Sequence, residues 1–206
     1  MTLFLDTSHQ TFTLGLIKDE EVIFEYKKDF NQKLSTHLMP VIKESLDKIG
    51  AKAKDIKQII VTTGPGSFTG LRSGITVAKT WAFAKDLDII PISSLKALAA
   101  SSNADYIVPI IDAKRGFVFA AIYDNNLKPM LKDRYISLDN LKEEINKLDK
   151  SYQIVTADDL GLDSISTNIR LEKLIKFINE KPVNPHLVNP EYLKKTEAEE
   201  KKELSE

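Results

Sequence analysis

A glycine-rich connection between an apolar strand and a helix restricts the fold of this chain more than any other feature. Isoleucine, valine and threonine over 58–62 predict a buried strand, and the pattern over 69–85 predicts a helix. The connecting loop contains the candidate residues Gly64, Pro65, Gly66, Ser67, Phe68, Thr69 and Arg72. Glycine permits tight turns and close backbone approach, while amides at a helix start can hold an anion. The residues leave both roles open.

Two common phosphate-binding motifs do not fit this loop. A Walker loop requires four residues between its glycines and then a lysine, but five residues separate Gly64 from Gly70, and Leu71 follows. A dinucleotide fingerprint requires a third glycine at the position of Thr69. The pattern therefore excludes both motifs and indicates a loop of special geometry.

The helix after the loop carries small residues on one stripe. Gly70, Gly74, Ala78 and Ala82 recur at every fourth position. Each glycine costs a helix about 1 kcal/mol relative to alanine, and close packing of another backbone can offset that cost. The large apolar side chains on the other faces exceed what one sheet would cover. The helix is therefore expected to pack either between layers of its own chain or against a second subunit.

The order of elements repeats along the chain. Residues 1–102 predict three strands followed by alternating helices and strands, and the next segment starts the same order again. Each half opens with an apolar strand that ends on an aspartate, Asp6 in the first and Asp112 in the second. We expect an internal duplication with a first lobe at 1–102 and a smaller second lobe at 103–190. The charged tail at 191–206 is expected to be a frayed or exposed helix.

The first long helix has a proline within its pattern. Apolar residues recur at helical spacing over 34–49, and Gly50 is a plausible C-terminal cap. The ring of Pro40 would clash with the carbonyl of Thr36 in a regular helix. The helix is expected either to kink at the proline or to begin its regular part near Met39.

The composition excludes several classes of protein. The 206 residues include no cysteine, which removes disulfides, thiolate catalysis and cysteine-based metal sites. The three histidines include no pair at the i, i+4 spacing of a zinc-binding helix. A net charge of −1 with interleaved lysines and acids lacks the basic stripe of an unaided nucleic-acid-binding protein. No run approaches the about 18 apolar residues of a membrane span, and the first residues lack a secretory signal, so we expect a cytoplasmic protein.

Asp6 and Asp112 are the candidate remnants of a nucleotide site. In a duplicated phosphate-binding fold, carboxylates at such strand ends hold a magnesium–nucleotide or a water molecule. That chemistry also needs flexible glycine loops, but residues 7–9 contain none, and Gly161 is the one glycine after Gly116. Independent ATP hydrolysis is therefore not expected. A small phosphotransferase that uses the two aspartates and a stand-alone homodimeric binding module are the alternative functions.

Several segments resemble the TsaB family, also called YeaZ, of tRNA threonylcarbamoyladenosine biosynthesis proteins. The resemblance is carried by residues 3–8, 38–40, 64–74, 111–116 and 190–193. The block at 64–74 is highly specific. Recognisable segments extend from residue 3 to about residue 193, and the similarity is strong only through about residue 123.

The resemblance implies a duplicated actin-like or Hsp70-like fold of the RNase H-like class, with two α/β lobes of mixed sheets. It implies no catalytic residue, metal or cofactor of the chain's own, with ATP and magnesium at a complex interface. Members of the family bind and activate TsaD, a larger paralogue that carries the metal and transfers the threonylcarbamoyl group to tRNA. A small ATPase, TsaE, joins the complex in bacteria. The chain would then contact tRNA indirectly, and it would form a homodimer when alone.

The resemblance also implies which surface binds TsaD. In the family, the two long helices of the first half pair with their equivalents in the partner. TsaD uses a paired-histidine metal motif on its first long helix, whereas this chain has only His37 there, and Leu34 stands where many relatives have a histidine. The expected interface residues are Leu38, Val41, Ile42, Ser45, Gly70, Ser73, Gly74, Val77, Ala78, Trp81 and Ala82.

Overall fold

Two five-stranded mixed sheets organise the chain, one in each half. The computed structural model describes residues 1–29 and 34–194. The first half contains β1 (Thr2–Asp6), β2 (Thr11–Lys18), β3 (Glu21–Asp29), α1 (Leu34–Lys48), β4 (Gln58–Gly64), α2 (Phe68–Lys85), β5 (Ile89–Ser93) and α3 (Ser94–Ala99). The second half contains β6 (Tyr106–Asp112), β7 (Phe117–Asp124), β8 (Pro129–Ser137), α4 (Leu138–Ile145), β9 (Tyr152–Val155), β10 (Ser164–Ile165) and α5 (Leu171–Lys176). Short 3₁₀ turns lie at Ala53–Asp55 and Pro185–Leu187.

The strand order confirms the duplicated fold. The first sheet has the order β3-β2-β1-β4-β5, and the second has the equivalent order β8-β7-β6-β9-β10. In each sheet the opening strand pairs antiparallel with the strand after it and parallel with the strand after the helix. The second lobe is reduced as expected: α2 joins β4 to β5, whereas the described residues 156–163 contain no helix between β9 and β10.

The central strand β1 divides the apolar core of the first lobe. Leu3 and Leu5 pack with α1 and α2 on one face of the sheet, while Phe4 points to the other face and packs with α3, α5 and residues of the second sheet. All three side chains are fully buried. A strand that is buried on both faces has a continuous run of apolar residues. The apolar residues at the start of the chain therefore predicted β1.

The first long helix runs without interruption through its proline. It extends from Leu34 to Lys48 with Pro40 inside. Gly50 adopts a left-handed conformation, with φ of 67°, and the amide of Ala51 donates to the carbonyl oxygen of Leu46 at 2.9 Å. The predicted glycine cap is thereby confirmed.

Serine side chains set the starts of three further helices. The Oγ of Ser67 accepts from an amide in the first turn of α2, and Ser137 does the same for α4. The cap of α3 is Ser93, whose side chain accepts from the amide of Lys96. The helices α4 and α5 are short and end at Ile145 and Lys176. Within 1–29 and 34–194, no helix has the length and apolar character to cross a bilayer.

After α5 the chain returns to the first lobe, and we call residues 183–194 the C-terminal strap. Val183 and Ile89 exchange two backbone hydrogen bonds of 3.1 and 2.8 Å at the edge of the first sheet. The lobe boundaries at 102 and 190 stay predictions. The tail at 191–206 was predicted as a frayed or exposed helix, but residues 191–194 form no helix and belong to the strap, where the amide of Glu191 donates to the carbonyl oxygen of Thr63. The rest of the tail, from 195 onward, lies outside the described residues.

Candidate functional site

The glycines of the loop lie against the turn that follows β1. A Cβ on Gly66 would stand 2.3 Å from the carbonyl oxygen of Ser8, and one on Gly70 would stand 2.1 Å from that of Thr7. The amide of Ser67 also donates to the carbonyl oxygen of Ser8 at 2.7 Å. These contacts support tight packing between the loop and β1, because real side chains do not fit at such distances.

The loop also contacts the C-terminal strap. Gly64 has a φ of 132°, and a Cβ there would lie 2.5 Å from the carbonyl oxygen of Glu191. The amide of Glu191 donates to the carbonyl oxygen of Thr63 at 2.7 Å. Pro65 is buried, whereas Ser67, Phe68, Thr69 and Arg72 are exposed. The loop therefore joins the end of β1, the start of α2 and the strap.

Asp6 is buried and held by its own lobe. Its Oδ1 accepts hydrogen bonds from the amide of Ser8 at 2.9 Å, the Oγ of Ser8 at 2.6 Å and the Oγ1 of Thr62 at 2.8 Å. Three donors on one oxygen fix the carboxylate firmly. The side chain is positioned at the end of β1 as predicted, although this oxygen already has its hydrogen bonds inside the chain.

His9 continues this network towards the second lobe. The distance between its Nδ1 and the Oγ of Ser8 is 2.6 Å, and its buried Nε2 has no hydrogen-bond partner. Burial lowers the pKa of His9, although the nearby carboxylates of Asp6 and Asp158 oppose this effect. A cavity of about 30 Å³, lined in part by Asp6, His9 and Lys27, adjoins the network. That volume accepts a water molecule and excludes a nucleotide.

Asp112 is turned towards its own hairpin. Its carboxylate accepts from the Nζ of Lys114 at 2.6 Å and from the amide of Lys114 at 2.8 Å. These hydrogen bonds lower the pKa of Asp112. The amide of Asp112 donates to the Oδ2 of Asp158 at 2.8 Å. Among the residues that the structure describes, no group of three acidic or histidine side chains could hold a metal ion.

The small-residue stripe of α2 faces the interior, which corrects part of the interface prediction. Gly74 lies against the side chain of Thr7, with a Cβ position 2.2 Å from its Oγ1, and Ala78 and Ala82 are fully buried. Of the predicted interface residues, eight are buried in the chain's own core: Leu38, Val41, Ile42, Ser45, Gly70, Gly74, Ala78 and Ala82. Ser73, Val77 and Trp81 are partly accessible. The stripe thus packs on β1, and a partner could contact only the other faces of α2.

An apolar groove lies on the outer side of the two long helices. Its volume is about 430 Å³, and its lining consists of Met39, Ala53, Thr76, Val77, Thr80, Trp81, Ala84 and Lys85. The side chain of Met39 is 50% exposed at its edge. We call these eight residues the helix groove. Val77 and Trp81 belong to the predicted interface, and the other six residues of the groove were missed. Thr80 and Ala84 nevertheless lie at i, i+4 on the face opposite the glycines.

An aromatic cluster lies on the same helix, at its N-terminal end. The rings of Phe68 and Tyr192 stack with centroids 5.4 Å apart, and the guanidinium carbon of Arg72 lies 3.8 Å from the centroid of Phe68. The Nε of Arg72 donates to the hydroxyl of Tyr192 at 3.1 Å. The strap thereby places an aromatic side chain beside the outer face of α2.

Comparison with known proteins identifies relatives along almost the whole chain. The family model described as TsaD, tRNA N6-adenosine threonylcarbamoyltransferase, matches residues 28–156. The tRNA threonylcarbamoyladenosine biosynthesis protein TsaB of Bacillus subtilis is 32% identical over 97% of this chain and 96% of its own length. The chain belongs to the TsaB family.

Further TsaB proteins support this assignment. The TsaB of Buchnera aphidicola from Acyrthosiphon pisum is 24% identical over 90% of this chain and 87% of its own length. The structure of YeaZ from Pseudomonas aeruginosa superposes with a TM-score of 0.78 at 20% identity, covering 93% of this chain and 99% of that chain. This structural likeness shows a shared fold. Membership of the TsaB family places the chain in tRNA threonylcarbamoyladenosine biosynthesis.

Proposed function

We propose that this TsaB-family chain is a non-catalytic activating subunit that binds the catalytic paralogue TsaD. The single observation that carries the proposal is the helix groove, an uncovered apolar surface on the two long helices of the first lobe. Exposed apolar patches on water-soluble proteins mark protein–protein contacts. The activating effect would be allosteric, because contacts made better with one conformation of TsaD favour that conformation.

The fold of the proposed partner supports a helix-to-helix contact. The family model described as TsaD matches a range that includes α1 and α2 of this chain. A paralogue of the same fold would present an equivalent pair of helices, and two such pairs can bury Val77 and Trp81 between them. The same surface would support a homodimer when TsaD is absent.

The proposal assigns nucleotide and metal chemistry to the complex. The cavity beside Asp6 is about 30 Å³, and Asp112 is paired with Lys114 in its own hairpin. Neither environment suits a magnesium–nucleotide held by this chain alone. ATP and magnesium would therefore lie at a subunit junction, TsaE would join the assembly, and tRNA would be contacted through TsaD.

Exposed residues of the groove allow the proposal to be tested without unfolding the protein. Thr80 and Ala84 are exposed, so Thr80→Glu and Ala84→Glu place a charge in the groove while leaving the core intact. We expect each to weaken binding to the host's TsaD by about tenfold or more, since burying an unpaired charge is costly. Ala157→Glu, at an exposed site in the second lobe, is the matched control.

The outcomes separate this proposal from its alternatives. If both groove variants bind TsaD as tightly as the wild-type chain, the proposed surface is wrong. If they disrupt only a homodimer and leave tRNA modification intact, the chain is a stand-alone homodimeric module. Ala78→Glu is unsuitable for this purpose, because Ala78 is fully buried and the variant would unfold the lobe.

A further inference from the structure

The segment at 190–193 carries part of the family resemblance, and the proposed function does not yet use it. The strap that contains it is fixed along α2 at several points. The Nζ of Lys79 donates to the carbonyl oxygen of Val188 at 2.7 Å, and Val188 is buried. His186 contacts Phe83 ring to ring, with centroids 5.4 Å apart. These contacts hold the strap in place before any partner binds.

The strap exposes one aromatic side chain of the cluster to solvent. Tyr192 is 49% exposed, and Phe68, which stacks on it, is 54% exposed. Tyrosine and arginine are enriched among the residues that dominate binding energy in protein interfaces. The two rings and the guanidinium of Arg72 already contact one another, so little side-chain entropy remains to be lost on docking.

This aromatic cluster is continuous with the helix groove. Phe68, Arg72, Thr76, Thr80 and Ala84 succeed one another at every fourth position along α2. Residues with this spacing lie on one stripe of a helix. The first two belong to the aromatic cluster and the last three line the groove, so a partner seated in the groove would reach both.

The charge of α2 specifies the chemistry of the partner surface. The helix contains Arg72, Lys79 and Lys85 and no acidic residue. The Nζ of Lys79 is bonded to strap carbonyl oxygens, whereas the contacts described for Arg72 are a ring and a hydroxyl. Among the ion pairs of the described residues, none involves Arg72. A carboxylate on the partner would complement this guanidinium.

We propose that the strap is part of the TsaD-binding surface, with Tyr192 as an aromatic anchor and Arg72 as the site of an ion pair with a TsaD carboxylate. This inference rests on the proposed function and extends its surface from the helix groove to the N-terminal end of α2. It gives the segment at 190–193 a role in partner recognition. Gly64 permits that role, because only a residue without a side chain lets Glu191 approach β4 so closely.

The test measures the affinity of full-length variants for the host's TsaD by calorimetry. We expect Tyr192→Ala and Arg72→Gln each to weaken binding by about tenfold. Arg72→Gln should also reduce the dependence of affinity on salt, because an ion pair is screened. Tyr152→Ala is the matched control, since Tyr152 is also 49% exposed but lies on β9. Arg134→Gln is the corresponding arginine control on β8.

The experiment distinguishes failure of the strap proposal from failure of the proposed function. If Thr80→Glu weakens binding and both Tyr192→Ala and Arg72→Gln stay within about twofold of wild type, the strap proposal is overturned while the groove stands. If none of the three weakens binding, both proposals fail. If a variant folds poorly, hydrogen exchange measured on the wild-type chain tests the strap proposal instead. Amides at 191–193 should exchange more slowly with TsaD bound, and unchanged exchange there would overturn the proposal.

Discussion

Gly70 of α2 lies so close to Thr7 of the turn after β1 that a Cβ on the glycine would stand 2.1 Å from the carbonyl oxygen of Thr7. Gly74, one turn later, lies equally close to the side chain of the same threonine, with a Cβ position 2.2 Å from Oγ1. One residue therefore meets two glycines, once through its backbone and once through its side chain. This arrangement fixes α2, and with it the helix groove, relative to the central strand.

The stabilities of alanine variants at the two glycines should respond differently to a substitution of Thr7. Gly70→Ala and Gly74→Ala should each lower the free energy of unfolding by about 1–3 kcal/mol, because the added methyl overlaps Thr7. Thr7→Ala should recover much of the loss in Gly74→Ala, since the overlapping Oγ1 is removed. It should not rescue Gly70→Ala, where the obstacle is a backbone oxygen. Urea denaturation of the single and double variants measures these differences.

Thr76→Ala is the control for a general change in helix propensity. Thr76 is exposed on the same helix, and its replacement should leave stability unchanged or slightly increased. Equal rescue of both glycine variants by Thr7→Ala would contradict the assignment of the two contacts.

An ion pair between a buried lysine and a partly exposed glutamate should stabilise the segment that precedes the strap. The Nζ of Lys96 in α3 donates to Oε1 and Oε2 of Glu180 at 2.7 and 2.8 Å, and the lysine is buried. Glu180→Ala should cost about 2 kcal/mol, because the buried cation loses a charged acceptor. The cost should stay below that of a fully buried pair, since the Glu180 side chain is 29% exposed and the Oδ1 of Asn179 still accepts from Lys96 at 3.0 Å. Adding Lys96→Met should recover at least part of that loss. Thermal or urea unfolding provides the measurement.

Glu144→Ala is the comparison for an exposed pair. Glu144 binds the Nζ of Lys147 at 2.8 Å on the surface of the second lobe, where an ion pair contributes about 0–1 kcal/mol. If Glu180→Ala costs no more than Glu144→Ala, the ion pair of Lys96 with Glu180 does not have the stabilising role described.

The buried histidine should make the protein sensitive to acid. Burial lowers the pKa of His9 below its ordinary value of 6.5, so the unfolded chain binds a proton there more readily than the folded chain. His9 therefore favours folding above about pH 6.5, and this advantage falls as the pH decreases through that value. Between pH 7.5 and 5.5, the urea midpoint of His9→Gln should fall less than that of the wild-type chain. An equal fall in both proteins would show that His9 does not titrate as stated.

The isolated chain should not bind magnesium–ATP at micromolar concentration. The cavity beside Asp6 has about 30 Å³, and the described hydrogen bonds of Asp112 tie it to Lys114 and Asp158. Isothermal titration calorimetry with magnesium and ATP should therefore detect no micromolar binding. Clear binding that is lost in Asp6→Asn would favour the phosphotransferase alternative.

Periodicity predicted the elements well because burial leaves a local signature. The three strands predicted at the start of the chain correspond to β1, β2 and β3, and the apolar run before Asp6 located a strand that is buried on both faces. The short strand β10 carries no such signature, since two residues are too few to display a period. The repeated order of elements was likewise visible, because each strand and helix that carries it is long enough to show its own pattern.

The partners of a helix face could not be predicted in the same way. Spacing showed that Gly70 and Gly74 share one stripe, but it did not show that Thr7 covers that stripe. The sequence likewise did not reveal the pairing of Lys96 with Glu180. Like the contact of Thr7 with α2, this pairing joins segments that are far apart in the chain. The aromatic cluster depends on the path of the strap, which brings Tyr192 back to the first helical turn of α2.

Reconstitution tests the central claim most directly. The rate of threonylcarbamoyladenosine formation on tRNA would be measured for the host's TsaD with TsaE, ATP and a threonylcarbamoyl donor supplied, in the presence and absence of this chain. We expect formation to depend on the wild-type chain and to be restored by Ala157→Glu but not by Ala84→Glu. A rate that is the same without the chain, or fully restored by Ala84→Glu, would contradict the account.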